Sequence, residues 1–224
     1  MKVTVIYGQQ HQGSTYRAAQ LLLQKLHCTP EEISEFYVNG IAHCVGCYAC
    51  IMKDEKLCPH RAQTQPIIEA IEAADVIVLA SPNYCFDMTG QMKTFCDHMA
   101  YRWMIHRPAD MRKKIGVAIS TTAGAGAGAA VKNLRRQMGW WSVGRTYPLT
   151  FAIWAQDWEQ IDPKRMTAFQ RKADALARRI NQSCGQVKPS IKTALLWRVM
   201  KSMHTGDTWN DVERAYWQTE LKEK

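Results

Sequence analysis

Asp75-Val-Ile-Val-Leu-Ala-Ser-Pro-Asn-Tyr84 decides the fold. Residues 76–80 are apolar without a polar alternation, so they read as a strand covered on both faces, the situation of a central strand in a parallel sheet. The run stops at Ser81-Pro82, where proline fixes the backbone and leads the chain out of the sheet. Lys114-Ile-Gly-Val-Ala-Ile119 is a second strand of the same kind, and Lys2-Val-Thr-Val-Ile-Tyr7 is a third, ending at Gly8.

Between these runs the period changes. Ala18, Ala19, Leu22, Leu23 and Leu26 recur at helical spacing over 14–26, and further helices are expected over 64–73 and 129–138. Met88, Met92, Phe95, Cys96, Met99 and Trp103 mark one face of another. Residues 31–38 suit an edge strand. Residues 142–154 read as a last strand, placed at the opposite edge because Pro148 cannot donate to a ladder. Phe169, Ala173, Leu176 and Ile180 define a closing helix.

Strands alternating with helices predict an α/β, flavodoxin-like three-layer sandwich around a five-stranded parallel sheet of order 2-1-3-4-5. That core is assigned to residues 1–183. Residues 184–224 are a helical C-terminal extension, with amphipathic segments expected over 189–203 and 209–217.

The hydrophobic fraction of 46% and charged fraction of 22% are those of an ordinary soluble globular chain. Net charge is +9, but Lys and Arg are spread over several elements, with no aromatic–basic interleaving on one of them. This excludes a recognised nucleic-acid motif and leaves a basic surface suited to small anionic partners. No window is long and apolar enough for a membrane span or a signal peptide, so a cytoplasmic location is expected. In that reducing setting eight cysteines point to metal, cluster or redox chemistry rather than a disulfide framework.

In open α/β sheets, ligands bind beyond the carboxyl ends of the strands, where strand order reverses. After the first strand comes Gly8-Gln-Gln-His-Gln-Gly13-Ser14-Thr15, a glycine-bounded loop opening a helix, which can cradle a phosphate with backbone N–H groups and hydroxyls. Ser14 acting only as a helix N-cap is the alternative. After the third strand come Ser81, Pro82, Asn83 and Tyr84, positioned to meet a planar ring system. After the fourth come Thr121, Thr122, Ala123 and Gly124, small enough to let backbone approach a ligand.

Gly8…Gly13-Ser14-Thr15, Ser81-Pro82-Asn83-Tyr84…Gly90…Lys93…Asp97 and Thr121-Thr122-Ala123-Gly124 together resemble the NADPH-dependent FMN reductase branch of the flavodoxin-like proteins, over residues 1–181. The resemblance implies an FMN cofactor. Ser14 and Thr15 would hold its phosphate, with Gln9, His11 and Gly13 in the same loop. Ser81, Pro82, Asn83 and Tyr84 would flank ring and ribityl chain, and Thr121, Thr122 and Gly124 would close the other side. Gln9 and His11 stand where the family usually has Ser and often Arg, and His98 follows Asp97 where Arg is common.

It also implies NAD(P)H as electron donor and a small acceptor: a quinone, free flavin, a nitro or azo compound, or a metal ion. No side chain is assigned as catalytic; Tyr84, His11 and His98 could protonate an acceptor, with packed or surface roles as the alternative for each histidine. A homodimer or higher homo-oligomer is expected, and Trp103, Trp140 and Trp141 could join such a contact or simply pack.

Cys44-x2-Cys47-x2-Cys50-x7-Cys58 is the sharpest local signal. The spacing, with Pro59 following, resembles iron–sulfur ligation, and the iron–sulfur flavoproteins of this family carry a similar motif after the second strand. A [4Fe-4S] cluster there would feed single electrons to the flavin, and an electron carrier between protein partners is the alternative function. Zinc, a redox dithiol and no inorganic centre remain open for these cysteines. Cys28, Cys85, Cys96 and Cys184 are isolated and expected to pack as small apolar groups.

Overall fold

The computed structural model describes residues 1–107, 111–206 and 210–222. Five parallel strands, β1 (Val3–Tyr7), β2 (Ile33–Tyr37), β3 (Val76–Ala80), β4 (Ile115–Thr122) and β5 (Arg145–Ala152), form one sheet in the order β2-β1-β3-β4-β5. Tyr37, Tyr7, Ala80, Ile119 and Leu149 are register partners in turn, so β2, β1 and β3 end level and β4 and β5 run three residues further. Strand order reverses at β1/β3, and the loops leaving those two strands emerge side by side.

The strands are covered on both faces because their residues alternate between two cores. Val3, Val5, Tyr7, Val76, Val78, Val117 and Ile119 pack with α1 (Ser14–Leu23) and α6 (Pro163–Ser183). Ile6, Ile77, Leu79 and Ala118 face α3 (Arg61–Ala73), α4 (Gly90–His98) and α5 (Ala127–Trp140). Phe169, Ala173, Leu176 and Ile180 all lie on the buried face of α6. Pro148 sits in edge strand β5, where its missing N–H breaks no second ladder.

Several boundaries differ from the sequence expectation. The first helix ends at Leu23, although Leu26 stays buried just beyond it. The helix expected to run to Trp103 stops at His98, and the chain continues as 3-10 turns over Ala100–Ile105 that end at left-handed Met104 and Ile105 (φ 49° and 57°). Thr121 and Thr122 are the last residues of β4 rather than part of the loop after it, since β5 continues to pair with them.

The extension contains α7 (Ile191–Thr205) and α8 (Asp211–Lys222). Met200 and Trp217 pack against Ile105, beside the chain that follows α4. The expected start of the last segment, Trp209, lies outside the described residues. Leu195 and Val199 of α7 are exposed although apolar. No helix among the described residues is long and apolar enough to cross a membrane.

Candidate functional site

The β1–α1 loop leaves the sheet at Gly8, whose N–H donates to the Ala80 carbonyl (2.8 Å) and whose carbonyl accepts from Thr89 Oγ1 (2.6 Å). A Cβ at Gly8 would lie 2.6 Å from that hydroxyl, so glycine is what lets this loop seat against the start of α4. Gln9 follows and is buried (6% exposed), yet neither its side-chain oxygen nor its nitrogen has a hydrogen-bond partner. A buried, unmatched amide is costly and points to an absent polar partner.

Gly13, not Ser14, is the N-cap of α1, and no side chain caps that helix. Ser14 is its first residue, so the first-turn N–H groups and the Ser14 hydroxyl face the loop without an internal acceptor, a disposition that favours an anion. A Cβ on Gly13 would come within 2.8 Å of the His11 ring, itself exposed. The Thr15 hydroxyl turns the other way and lies 2.7 Å from Thr121 Oγ1, both buried, tying the first loop to the end of β4.

The second loop is stitched to the same edge. Ser81 N–H donates to Ile119 O and Asn83 N–H to Thr121 O, both at 3.0 Å, while Ser81 Oγ accepts from Thr89 N–H at 2.9 Å. Tyr84 and Asp87 exchange backbone hydrogen bonds around Cys85 and Phe86, which are both left-handed (φ 50° and 62°). This is a two-residue hairpin without the glycine that such a turn usually needs. It leaves Tyr84, Cys85 and Phe86 exposed. Cys85 is therefore not packed as expected; the turn lifts it clear of the core.

Asn83 reaches across to the third loop, its Nδ2 donating to Ala125 O (3.2 Å), while its buried Oδ1 has no partner. Gly126 (φ +97°) sits so close that a Cβ there would be 2.7 Å from both Asn83 Nδ2 and Phe86. Pro82 is half-buried beside them, and the Thr122 hydroxyl closes the loop on Ala125 O (2.7 Å). Sequence reasoning missed Trp154. It is left-handed (φ 49°), exposed, bonded through its N–H to Ala123 O (2.8 Å), and its ring lies over Gly124. The available signal was an aromatic residue directly beyond the carboxyl end of the fifth strand.

The cysteine loop follows β2 and contains only the short α2 (Ala49–Met52) and a 3-10 turn, Glu55–Leu57. Cys44, Cys47, Cys50 and Cys58 line one cavity together with His60, Asp97 and His98. Cys44 and Cys47 are exposed, and Cys50 and Cys58 are half-buried. Burial pushes the Cys50 thiol up to about 11, the nearby Cys58, Cys44 and Cys47 sulfurs adding and Arg107 opposing. Four thiols gathered around one cavity are a donor set that a cation could complete by stabilising thiolates.

His98 is buried, with Nε2 2.7 Å from the Ala42 carbonyl and Nδ1 3.9 Å from Cys58 Sγ. A carbonyl only accepts, so Nε2 carries a proton and donates to it. His98 thus packs against the cysteine loop rather than the crevice. The loop is also clamped from outside. Arg107, fully buried, pairs with Glu55 and donates to Ile51 O (3.1 Å) and Lys53 O (3.3 Å). Tyr216 donates to Glu55 Oε2 (2.9 Å), and Asn210 Nδ2 to Ile51 O (2.9 Å). Trp141 is buried in the core and cannot join a subunit contact; Trp103 and Trp140 meet each other (ring centroids 5.3 Å).

Crevice and cysteine cavity share α4: Thr89, its N-cap, bonds Gly8 at one end, and Asp97 and His98 line the cavity at the other. The matches to known proteins follow this geometry. Residues 1–159 match the NADPH-dependent FMN reductase family, and the chain belongs to it. Among curated relatives, an iron–sulfur flavoprotein of Archaeoglobus fulgidus is 32% identical over 56% of this chain and 56% of its own length. One from Methanocaldococcus jannaschii is 30% identical over 54% and 61%. The chain thus spans little more than half the length of these relatives. The fold also matches an azoreductase of Bacillus anthracis (TM-score 0.61, 14% identity, 80% of this chain and 99% of that one).

Proposed function

We propose that this chain is an FMN-dependent oxidoreductase that takes electrons from NAD(P)H and passes them to a small acceptor such as a quinone, free flavin, a nitro or azo compound, or a metal ion. The observation that carries the reading is the buried, unpartnered Gln9 amide in the loop that leads from β1 to the uncapped start of α1, together with the unmatched oxygen of Asn83 in the loop after β3. Polar groups left open at two adjacent strand ends, β1 and β3, suit a phosphorylated, hydrogen-bonding ring system. Family membership and the azoreductase-like fold support the same reading.

In this reading Gly13, Ser14 and the first turn of α1 hold the phosphate. Gln9 and Asn83 supply amide donors and acceptors, and Thr122, Gly124 and Pro82 allow close backbone approach. Thr15 and Thr121 act on each other and hold the two loops in place. Tyr84, Phe86 and Trp154 are exposed aromatic walls suited to excluding water from a stacked ring. FMN, when bound, supplies hydride and single-electron transfer. The protein contributes position and polarity, and no side chain is assigned as general acid or base.

The four cysteines suit a [4Fe-4S] cluster. Their clustering around one cavity supports this, as do curated relatives named iron–sulfur flavoproteins. A carrier role between protein partners is favoured by one observation: Cys44 and Cys47 are exposed beside the exposed apolar Val45 and Tyr48. The test is anaerobic purification followed by absorption spectroscopy, flavin and iron analysis, and NAD(P)H oxidation with a quinone. Bound flavin, about four irons per chain and acceptor-dependent turnover are expected. Flavin and iron without turnover would favour the carrier, and absence of flavin affinity would reject both.

A further inference from the structure

Outside the crevice and the cysteine cavity, three side chains from three separate segments meet in the protein interior. His106 comes from the turn after α4, His204 from the last turn of α7, and Glu213 from the first turn of α8. His106 Nδ1 lies 2.8 Å from Glu213 Oε1, and His204 Nδ1 lies 3.0 Å from Glu213 Oε2. Glu213 is completely buried and His204 is 3% exposed.

We propose that His106, His204 and Glu213 form a binding site for one divalent transition-metal ion of the zinc class, which fastens the C-terminal helices to the body of the protein.

The alternative is a simple hydrogen-bonded lock, and the geometry argues against it. Although the distances are short, neither carboxylate oxygen of Glu213 and neither ring nitrogen of His204 makes a directed hydrogen bond. All three residues offer a ligand atom within 4.8 Å of the others, and among the described residues this is the one such group of His, Cys, Asp or Glu. Two atoms each about 2.1 Å from an ion sit roughly 3.0 Å apart at a right angle and roughly 3.4 Å apart at a tetrahedral one, so the observed 2.8 and 3.0 Å lie at the short end of ligand–ligand spacing.

The donor set selects the ion. Two imidazoles and one carboxylate suit zinc, iron(II) or nickel(II), whereas magnesium and calcium prefer all-oxygen shells. A divalent ion would neutralise the buried Glu213 carboxylate without protonating either imidazole.

The site is placed to matter for the cysteine loop. Glu213 shares α8 with Tyr216, which bonds Glu55, and His106 immediately precedes Arg107, which grips Ile51 and Lys53. An ion joining His106 to Glu213 would therefore pin both clamps that hold the segment between Cys50 and Cys58. Trp217 stacks on His204 (5.7 Å, 13°), which supplies an optical reporter.

The test uses full-length protein in which Cys44→Ser, Cys47→Ser, Cys50→Ser and Cys58→Ser remove the thiol donors. After chelator treatment, Zn2+ is titrated in competition with a chromophoric chelator while tryptophan fluorescence and melting temperature are followed. One Zn2+ per chain with micromolar or tighter affinity is expected, with a raised melting temperature. Glu213→Gln and His204→Ala are expected to weaken binding at least tenfold and remove the Zn2+-dependent rise. Binding that survives Glu213→Gln, or a stability loss in that variant identical with and without Zn2+, overturns the proposal. If the four-serine protein fails to fold, Co2+ added to the unmodified chain decides. Weak ligand-field bands sensitive to Glu213→Gln support the site, and intense sulfur-to-cobalt charge transfer alone overturns it.

Discussion

The hydroxyls of Thr15 and Thr121, 106 residues apart in the chain, lie 2.7 Å from each other in the interior. One contact thus sets the distance between the start of α1 and the end of β4. Replacing either by Val leaves its partner's hydroxyl buried and unmatched, at a cost of about 1–3 kcal/mol. Thr15→Val and Thr121→Val should each lower stability by that amount and weaken FMN binding roughly tenfold. The double variant should lose less than the sum, and denaturant unfolding with flavin titration measures both effects.

Gly8→Ala tests the seating of the first loop. The added methyl would lie 2.6 Å from Thr89 Oγ1, 3.0 Å from Met92 Cβ and 3.1 Å from Ser81 Oγ, all in packed surroundings. Overpacking of this kind costs about 1–3 kcal/mol. A lower melting temperature with reduced flavin affinity is expected, whereas Gly128→Ala, where a methyl meets open space, should melt unchanged or higher.

Arg107→Met should release the cysteine loop. Its side chain is fully buried against Glu55 and two backbone carbonyls, and removing one partner of such a pair costs on the order of 3 kcal/mol. The measured consequence should be faster proteolysis between residues 44 and 58 and lower iron retention, with flavin affinity largely preserved.

Thiol chemistry separates the isolated cysteines. Burial, with Asp97 adding and Lys93 opposing, pushes the Cys96 thiol up to about 12. A raised acid favours folding while protonated, so its contribution holds below about 9 and fades as pH climbs toward 12. Alkylation mapped by mass spectrometry at pH 8 should modify exposed Cys85 quickly and leave Cys96 untouched until the protein is unfolded.

The sheet was legible because its evidence is local. Apolar runs without alternation gave β1, β3 and β4, Pro148 gave an edge, and the glycine loops gave the ligand-facing rim. What escaped depended on contacts between distant segments. Nothing near Arg107 announces that its guanidinium will be buried under Tyr216 and Glu55. The helical pattern through Trp103 is genuine as a sequence period, but the chain leaves the α-helix at His98 and covers the rest in 3-10 turns. His106, His204 and Glu213 come from the turn after α4, the end of α7 and the start of α8, and so carry no spacing signature. Trp154 needed the β5 register to place it over Gly124.

The most direct test of the account is equilibrium titration of flavin-free protein with FMN, followed by flavin fluorescence, for the parent chain and for Gln9→Leu. The account predicts one FMN per chain at micromolar affinity or better, weakened at least tenfold in Gln9→Leu. Flavin fluorescence that stays unchanged with excess folded protein, or binding indifferent to Gln9→Leu, would contradict it.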